Sequence, residues 1–496
     1  MILIGTGIHA QDFGFGFDEE SGGGSGGGDS LLPFTLAIGG EINAGAAFFY
    51  HDFKGEESAE PFSIWDVLSA KTNFTVSGKN AEAFIGLNFS NRAFAELKDG
   101  GPGPVYPPML LDELWMRGYF DKLNVEAGFI KLRWGRMYSP GPLDIVNPLD
   151  YSDLTNLTDS MAMKIARPMI HASYNVTDFS MIEAVFLPNF ASHRFAQDGR
   201  WTPLQYSNMN SVFSPRIMSR ALEKYSGNLG ALLMLQPLLP AIESGFTGYH
   251  PDFPDTSTID YFQTGLRFNT VIGQADCGVQ YFYGNYFRPS VSISNDGIDP
   301  FFDDLTAGNL SSPPYTGNPS LLSPHIEYSR YHQIGVDYSQ VLFGFTVRSE
   351  FAAHITEDIK GDNGKVKNPF LAWSLGFDRD IIAGFNVNIQ CNETIRLLDS
   401  KVVKDPAIDC EGGDDVSSTR LIVQLSKNLF RDKMECKLVT IWDIEDKDCV
   451  LIPSVAWLVN DARLELSAGF FVGDIDGELG QYWNNSYVKL VLSYSF

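Results

Sequence analysis

Residues 487–496 read "YVKLVLSYSF" and alternate in character along their whole length. Val488, Leu490, Leu492, Tyr494 and Phe496 hold every second position, and Tyr487, Lys489, Ser493 and Ser495 fill most of the places between. Successive side chains of a strand point to opposite faces, so this segment has one apolar face and one wet face. A half-buried strand of a soluble sheet has that pattern, and so does a strand with one face in lipid. The rest of the chain separates the two.

From Phe34 onward the pattern recurs. In "FNVNIQCN", Phe385, Val387, Ile389 and Cys391 oppose Asn386, Asn388, Gln390 and Asn392. "RLELSAGFFV" sets Leu464, Leu466, Ala468, Phe470 and Val472 against Arg463, Glu465 and Ser467. "FGFTVRSEFAAH" and "AEAFIGLNFS" do the same from Phe343 and Ala81. These runs are near ten residues, as a tilted bilayer crossing needs, whereas strands of soluble sandwiches average about five or six.

Short connections at 78–80, 121–122, 177–178, 272–274, 342–344, 378–384, 430–433 and 460–461 alternate with longer links. The links are 53–68, 91–109, 134–161, 191–259, 287–325, 355–367, 399–417, 444–449 and 474–485. The alternation predicts an all-β fold: a transmembrane antiparallel β-barrel over 34–496 of about 18 strands, within a range of about 16–20. Short periplasmic turns and long external loops follow, with both termini periplasmic. Within 191–259, "GNLGALLMLQPLLPAIESGFTGYH" leaves three readings open: two more strands around Pro237 and Pro240, a buried helix, or a folded-in loop.

Composition agrees. Aromatic residues make up 13% of the 496 residues, with 37 Phe, 20 Tyr and 47 Gly, while no apolar run is long enough for a membrane helix. Because only alternate residues meet lipid, the mean hydropathy stays near neutral, at −0.08. A net charge of −25 argues against nucleic acid as a partner, because phosphate binding needs basic patches. Of the five cysteines, Cys277, Cys391 and Cys436 fall in strand-like runs, while Cys410 and Cys449 lie in or beside loops and would pair only if those loops meet. Residues 1–10 read as the remnant of an export signal, with Ala10 before Gln11 resembling a cleavage site, and 11–33 as a Gly/Ser-rich flexible segment.

In lipid every backbone group must be paired, so a sheet there closes on itself and the last strand zips to the first. The end of the chain, with Leu490, Leu492, Tyr494 and terminal Phe496, resembles the signal that the bacterial outer-membrane barrel assembly machinery reads on its clients. That resemblance implies the assembly machinery as a partner and the outer membrane of a diderm bacterium as the location.

The second informative stretch is "GFIKLRWGRMYSPGPLDIVNPLDYSDLTNLTDS", residues 128–160. Unbroken strand parity would send Lys131 and Arg133 into lipid, at a cost of about 2–4 kcal/mol each near the midplane. A bulge near Gly128, or an end to the crossing before Lys131, is therefore expected. Lys131, Arg133 and Arg136 would then face water, with Asp144, Asp150 and Asp153 in a loop stiffened by Pro140, Pro142 and Pro148. Bases beside a rigid acidic loop suit the crossed field of a pore constriction. A loop that merely braces the wall is the competing reading.

This stretch resembles a porin-like family of outer-membrane β-barrels of unknown function from diderm bacteria, which carry W-G followed by N-P-x-D. Here these are Trp134-Gly135 and Asn147-Pro148-Leu149-Asp150. The likeness covers about forty residues, continuing through "ARPMIHASYNVTDFSMIEAVFLP", and implies fold and location rather than cargo.

Elsewhere the inward candidates are Glu82, Arg267, Asp337, Arg348, Glu350, Arg420, Glu435, Lys437, Arg463 and Glu465, a lumen of both signs that suits a water-filled pore. No H-E-x-x-H or G-x-S-x-G motif supports an enzyme, and His354 near Glu350 reads as lumen polarity. The acidic segments 295–304 and 474–479 lack EF-hand spacing, so no metal or other cofactor is implied. The expectation is a channel for passive diffusion of small hydrophilic solutes, with the lipid bilayer as its other partner. Two alternatives stand: a transporter of hydrophobic compounds plugged by 191–259, and a structural or adhesive surface barrel with a closed lumen. Barrels of this size occur as monomers and as homo-oligomers, and no interface signal decides between them.

Overall fold

The computed structural model describes residues 34–50, 62–63, 67–98, 105–197, 199–204, 218–227, 254–292, 299, 325–381, 384–406 and 408–496. The expected signal remnant and flexible segment, the stretch around Pro237 and Pro240, and nearly all of 295–304 lie outside the described residues.

A single sheet of 19 strands contains the two-residue strand Phe62–Ser63 and, apart from it, 18 wall strands. In chain order these begin β1 Thr35–Phe49, β2 Ser69–Ser77, β3 Ala81–Ser90, β4 Leu111–Phe120, β5 Leu123–Ile130 and β6 Arg167–Thr177. They continue with β7 Ser180–Leu187, β8 Gln263–Ile272, β9 Ala275–Asn285, β10 Arg330–Leu342, β11 Phe345–Thr356 and β12 Phe370–Asp380. The last are β13 Phe385–Arg396, β14 Ser417–Leu429, β15 Met434–Asp443, β16 Asp448–Val459, β17 Ala462–Val472 and β18 Tyr487–Ser495. Each pairs antiparallel with the next, and β18 pairs back onto β1 from Glu41↔Ser495 to Phe49↔Tyr487. The barrel is closed, and its count is the expected one.

Because β7 pairs directly with β8 (Leu187↔Gln263 to Ser180↔Thr270), no further strands enter the wall between them. Residues 191–259 therefore do not enlarge the barrel. Among the described residues, no helix is long and apolar enough to cross a membrane.

Alternation sorts the two faces. On β18, Val488, Leu490, Leu492 and Tyr494 are exposed on the outside, and Tyr487 and Lys489 point inward. The terminal Phe496 exchanges two backbone hydrogen bonds of 3.0 Å with Gly40. A Cβ on Gly40 would lie 2.6 Å from the Phe496 ring, so this ring covers the bare backbone of the first strand.

Thr35 pairs with Ser77, beside the 78–80 turn, so both ends of the barrel chain lie on the short-turn side. All five cysteines are unpaired. Cys449 sits within β16, opposite Trp442, and the disulfide considered for Cys410 and Cys449 does not form.

The lumen has two halves. Toward the short turns its lining carries charges of both signs, including Glu82, Arg117, Arg348, Asp378, Glu435 and Arg463. Toward the long loops, inward positions of β15–β18 and β1 are apolar: Val439, Val450, Ile452, Phe471 and Phe49 are all buried. Such a face needs cover, and the chain supplies it from within.

Candidate functional site

Strand β5 ends at Ile130, and residues 131–166, called the tongue below, turn into the barrel. The expected escape of Lys131 from lipid is achieved by ending the crossing, and Gly128 stays in regular register with Trp115. A bulge does occur, but in β4: Gly86 faces Glu113 and Leu87 faces Leu111, leaving Asp112 over. The extra residue brings Asp112 and Glu113 to the same end of the tongue. Glu113 accepts the Lys131 backbone N–H at 2.8 Å, and Asp112 accepts the Lys131 Nζ at 2.6 Å.

The Trp134-Gly135 pair sets the tongue against the wall. The Trp134 ring lies on Gly265 of β8 and edge-on to Phe282 of β9, with centroids 6.2 Å apart. Gly135 has φ +87, and a Cβ there would lie 2.4 Å from the Glu350 carboxylate. That carboxylate, on β11, accepts the backbone N–H groups of Arg136 (2.5 Å), Met137 (3.1 Å) and Leu143 (3.2 Å). Orphan donors of an irregular loop are thereby satisfied by one wall residue. Farther round, Gln280, Gln333, Gln390 and Asn392 donate to the carbonyls of Leu143, Pro142, Ser139 and Pro140. Gln424 of β14 donates to the Tyr138 hydroxyl at 3.2 Å. The tongue thus lines the wall from β8 to β14.

Asn147 ties the root of the tongue. Its Oδ1 accepts the Leu132 N–H, and its Nδ2 donates to the carbonyls of Ile130 and Ile165, all at 2.8–2.9 Å. The Pro148 carbonyl accepts the Ile165 N–H at 2.9 Å. Next, Leu149 donates its N–H to His193 Nδ1 at 2.9 Å. Burial pushes the His193 pKa down to about 3, and the Arg288 charge acts in the same direction.

The expected constriction charges are brought into one loop, and nearly all are consumed in fastening it. Arg136 is paired with Asp337, itself held by Arg267 at 2.6 Å. Asp144 is paired with Lys164, whose pKa burial lowers against the pull of Asp144. Asp150 meets Arg194 at 3.3 Å and Arg92 at 3.9 Å. Asp153 caps a short 3-10 turn by accepting the Thr155 N–H. Arg133 differs: its guanidinium donates to the backbone carbonyls of Met137 and Tyr138, with no carboxylate within ion-pair distance among the described residues.

The lumen candidates divide likewise. Arg267, Asp337 and Glu350 are buried where tongue meets wall. His354 stacks on Phe370 with centroids 4.2 Å apart and bonds Gln333, while Glu350 is taken up by the tongue. Glu82 accepts the Tyr119 hydroxyl at 2.9 Å, Arg348 lies 3.9 Å from Asp378, and Arg463 bonds both Glu435 and Glu465 at 2.8 Å. Lys437 lies in register between Ser426 and Ser454. These last residues line the half near the short turns.

A second filling covers the apolar wall. Leu154, Leu157, Trp201, Leu479 and Tyr482 pack on Phe49, Val439, Val450, Ile452 and Phe471, with the Trp201 and Phe471 rings 5.7 Å apart. Glu478 locks this layer, bound by Arg288 and, at 2.9 Å, by Arg420, which also holds Asp443. Burial opposes ionisation of Glu478, but Arg288 and Arg420 outweigh it and hold the carboxyl well below the usual range. Arg420, expected in the lumen lining, faces inward, and there it clamps this layer. The signal for this layer is visible in "LVTIW" (438–442) and "CVLIPSVAW" (449–457), whose two faces are both largely apolar and so predict strands covered on both sides.

No protein-family model and no curated protein sequence matches the chain. Among solved structures it is similar to the outer-membrane channel DcaP of Acinetobacter baumannii, at 9% identity over 95% of this chain and 99% of that one, with a TM-score of 0.40. It is also similar to OccK3 of Pseudomonas aeruginosa (8% identity, 93% and 95% covered, TM-score 0.45). A third is OmpF of Salmonella typhi (8%, 93% and 97%, 0.37).

Proposed function

We propose that the protein is an outer-membrane channel through which small hydrophilic solutes diffuse passively, without chemistry on its cargo. The observation that carries this reading is the two-signed lining of the short-turn half, leading up to a tongue fastened to the wall from β8 to β14 and, through Leu154 and Thr155, to β15–β18 and β1. A lining of paired charges keeps water in a lumen, and a fixed tongue sets its width. Within the tongue Arg133 is the base that no described carboxylate neutralises, so it is the proposed selectivity residue, with Arg348 near it.

The outer membrane of a diderm bacterium, with short turns and both termini in the periplasm, is part of the proposal. So is delivery by the barrel assembly machinery, which the outward row Leu490, Leu492, Tyr494 and Phe496 supports. Trp134-Gly135 and Asn147-Pro148-Leu149-Asp150 each hold the tongue, which supports reading them as a family signature.

Single-channel recording of the refolded protein in a planar bilayer tests the function. Stable steps are expected, and Arg133→Glu should move the reversal potential in a salt gradient toward cation preference. Silence from folded, inserted protein would overturn the channel reading. It would favour the plugged transporter, to which the buried Leu154–Trp201–Leu479 layer already lends an observation.

A further inference from the structure

On the outer surface at the short-turn rim, the strands β11–β14 carry two cations, Arg379 and Lys427, each held over an aromatic ring. Arg379 of β12 lies with its guanidinium carbon 4.5 Å above the Phe345 ring of β11, and Lys427 of β14 lies with its Nζ 4.3 Å above the Phe385 ring of β13. Both belong to the outward rows, since Arg379 follows exposed Phe377, and Lys427 pairs directly with exposed Phe385. The neighbouring acids point the other way. Asp378 lies near inward Arg348, and Asp380 accepts from the side chain of inward Asn386. Among the described residues neither cation has a carboxylate within ion-pair distance. The rim beside them is aromatic as well: Phe343 is 96% exposed at the tip of one turn, and Phe430 is exposed at another.

Aromatic rings at a bilayer edge sit at headgroup level, and cations held there attract anionic lipid at about 1 kcal/mol each. A ring beneath each cation holds its charge at a fixed place on the outer face. In a chain of net charge −25, an unpaired basic pair on the lipid face is a local reversal of sign. We propose that this rim is a binding site for the phosphodiester headgroup of an anionic phospholipid, with Arg379 and Lys427 as the phosphate-binding residues and Phe345 and Phe385 as their platforms. The acyl chains would run up the outward face over Phe377, Ile389 and Leu425.

The test is native mass spectrometry of delipidated protein in detergent, titrated with phosphatidylglycerol or phosphatidylcholine of identical chains. Retention of phosphatidylglycerol is expected to exceed that of phosphatidylcholine by roughly thirtyfold, as two such cations imply. The preference should fade as salt rises. The double variant Arg379→Gln/Lys427→Gln should lose it, and Arg463→Gln, in the lumen, should keep it. Equal retention of the two lipids by the unaltered protein would overturn the proposal, and that outcome does not depend on any variant folding. A preference that survives the double variant would also overturn it. Channel activity does not enter the readout, so the result stands apart from the function proposed above.

Discussion

At Gly135 the chain has φ +87 and a wall carboxylate where a Cβ would be. Gly135→Ala is therefore expected to push Glu350 away from the three N–H groups it accepts, leaving them unsatisfied at about 1–3 kcal/mol apiece. Lower thermal stability in detergent and a wider, noisier conductance should accompany each other. An unchanged conductance would mean that the tongue does not set the bore. His193 gives a pH-dependent counterpart. Its folded-state pKa of about 3 lies below the unfolded value of about 6.5, so in that interval the unfolded chain binds the extra proton. His193 therefore costs stability as pH falls from about 6.5 toward about 3. In His193→Asn, which keeps an acceptor for the Leu149 N–H, the loss of melting temperature over this interval should be smaller than in the unaltered protein.

At the scale of elements, the wall and the tongue contribute differently. Leu154 stands at the centre of the apolar layer, and truncating such a buried leucine costs about 2–5 kcal/mol. Leu154→Ala should lower the melting temperature and, by loosening the layer, raise conductance, and a stability loss with no conductance change would separate that layer from the bore. The strands were legible because period-two alternation is a local property: Phe385–Asn392 reveals its two faces without any knowledge of its neighbours. The tongue was legible only as a cluster of charges in a stiff loop. Which wall charge meets which tongue charge depends on register between strands far apart in sequence, so Arg136 with Asp337 could not be read from the loop itself, and Asp144 with Lys164 depends on how the loop folds back on its own root. Glu350 looked like one more lumen acid, because a side chain that caps backbone N–H groups leaves no mark in the sequence of the groups it caps. Nor did the β4 bulge at Asp112 show, since an extra residue merely looks like a lapse in alternation.

At the scale of the molecule, closure rests on the seam between β1 and β18. The Phe496 ring occupies the space above Gly40, so Phe496→Ala should leave that bare backbone uncovered and weaken the outermost pairs of the seam. The closed barrel should then unfold at lower temperature, seen as an earlier loss of the compact band in semi-native electrophoresis. A variant as heat-resistant as the parent would show that the ring is not needed for closure.

The partners of the tongue carry one more implication, which concerns time. Ser139 bonds Gln390, 251 residues later, Tyr138 bonds Gln424, 286 residues later, and the Thr155 carbonyl accepts from Tyr487, 332 residues later. None of these contacts exists until the strands that offer them are in place, and contacts so distant in sequence form late. The fitting of the tongue is therefore complete only when the last strand, β18, has brought Tyr487 to Thr155, and the same strand closes the wall against β1. The bore of this molecule takes its final width no earlier than its ring takes its final residue.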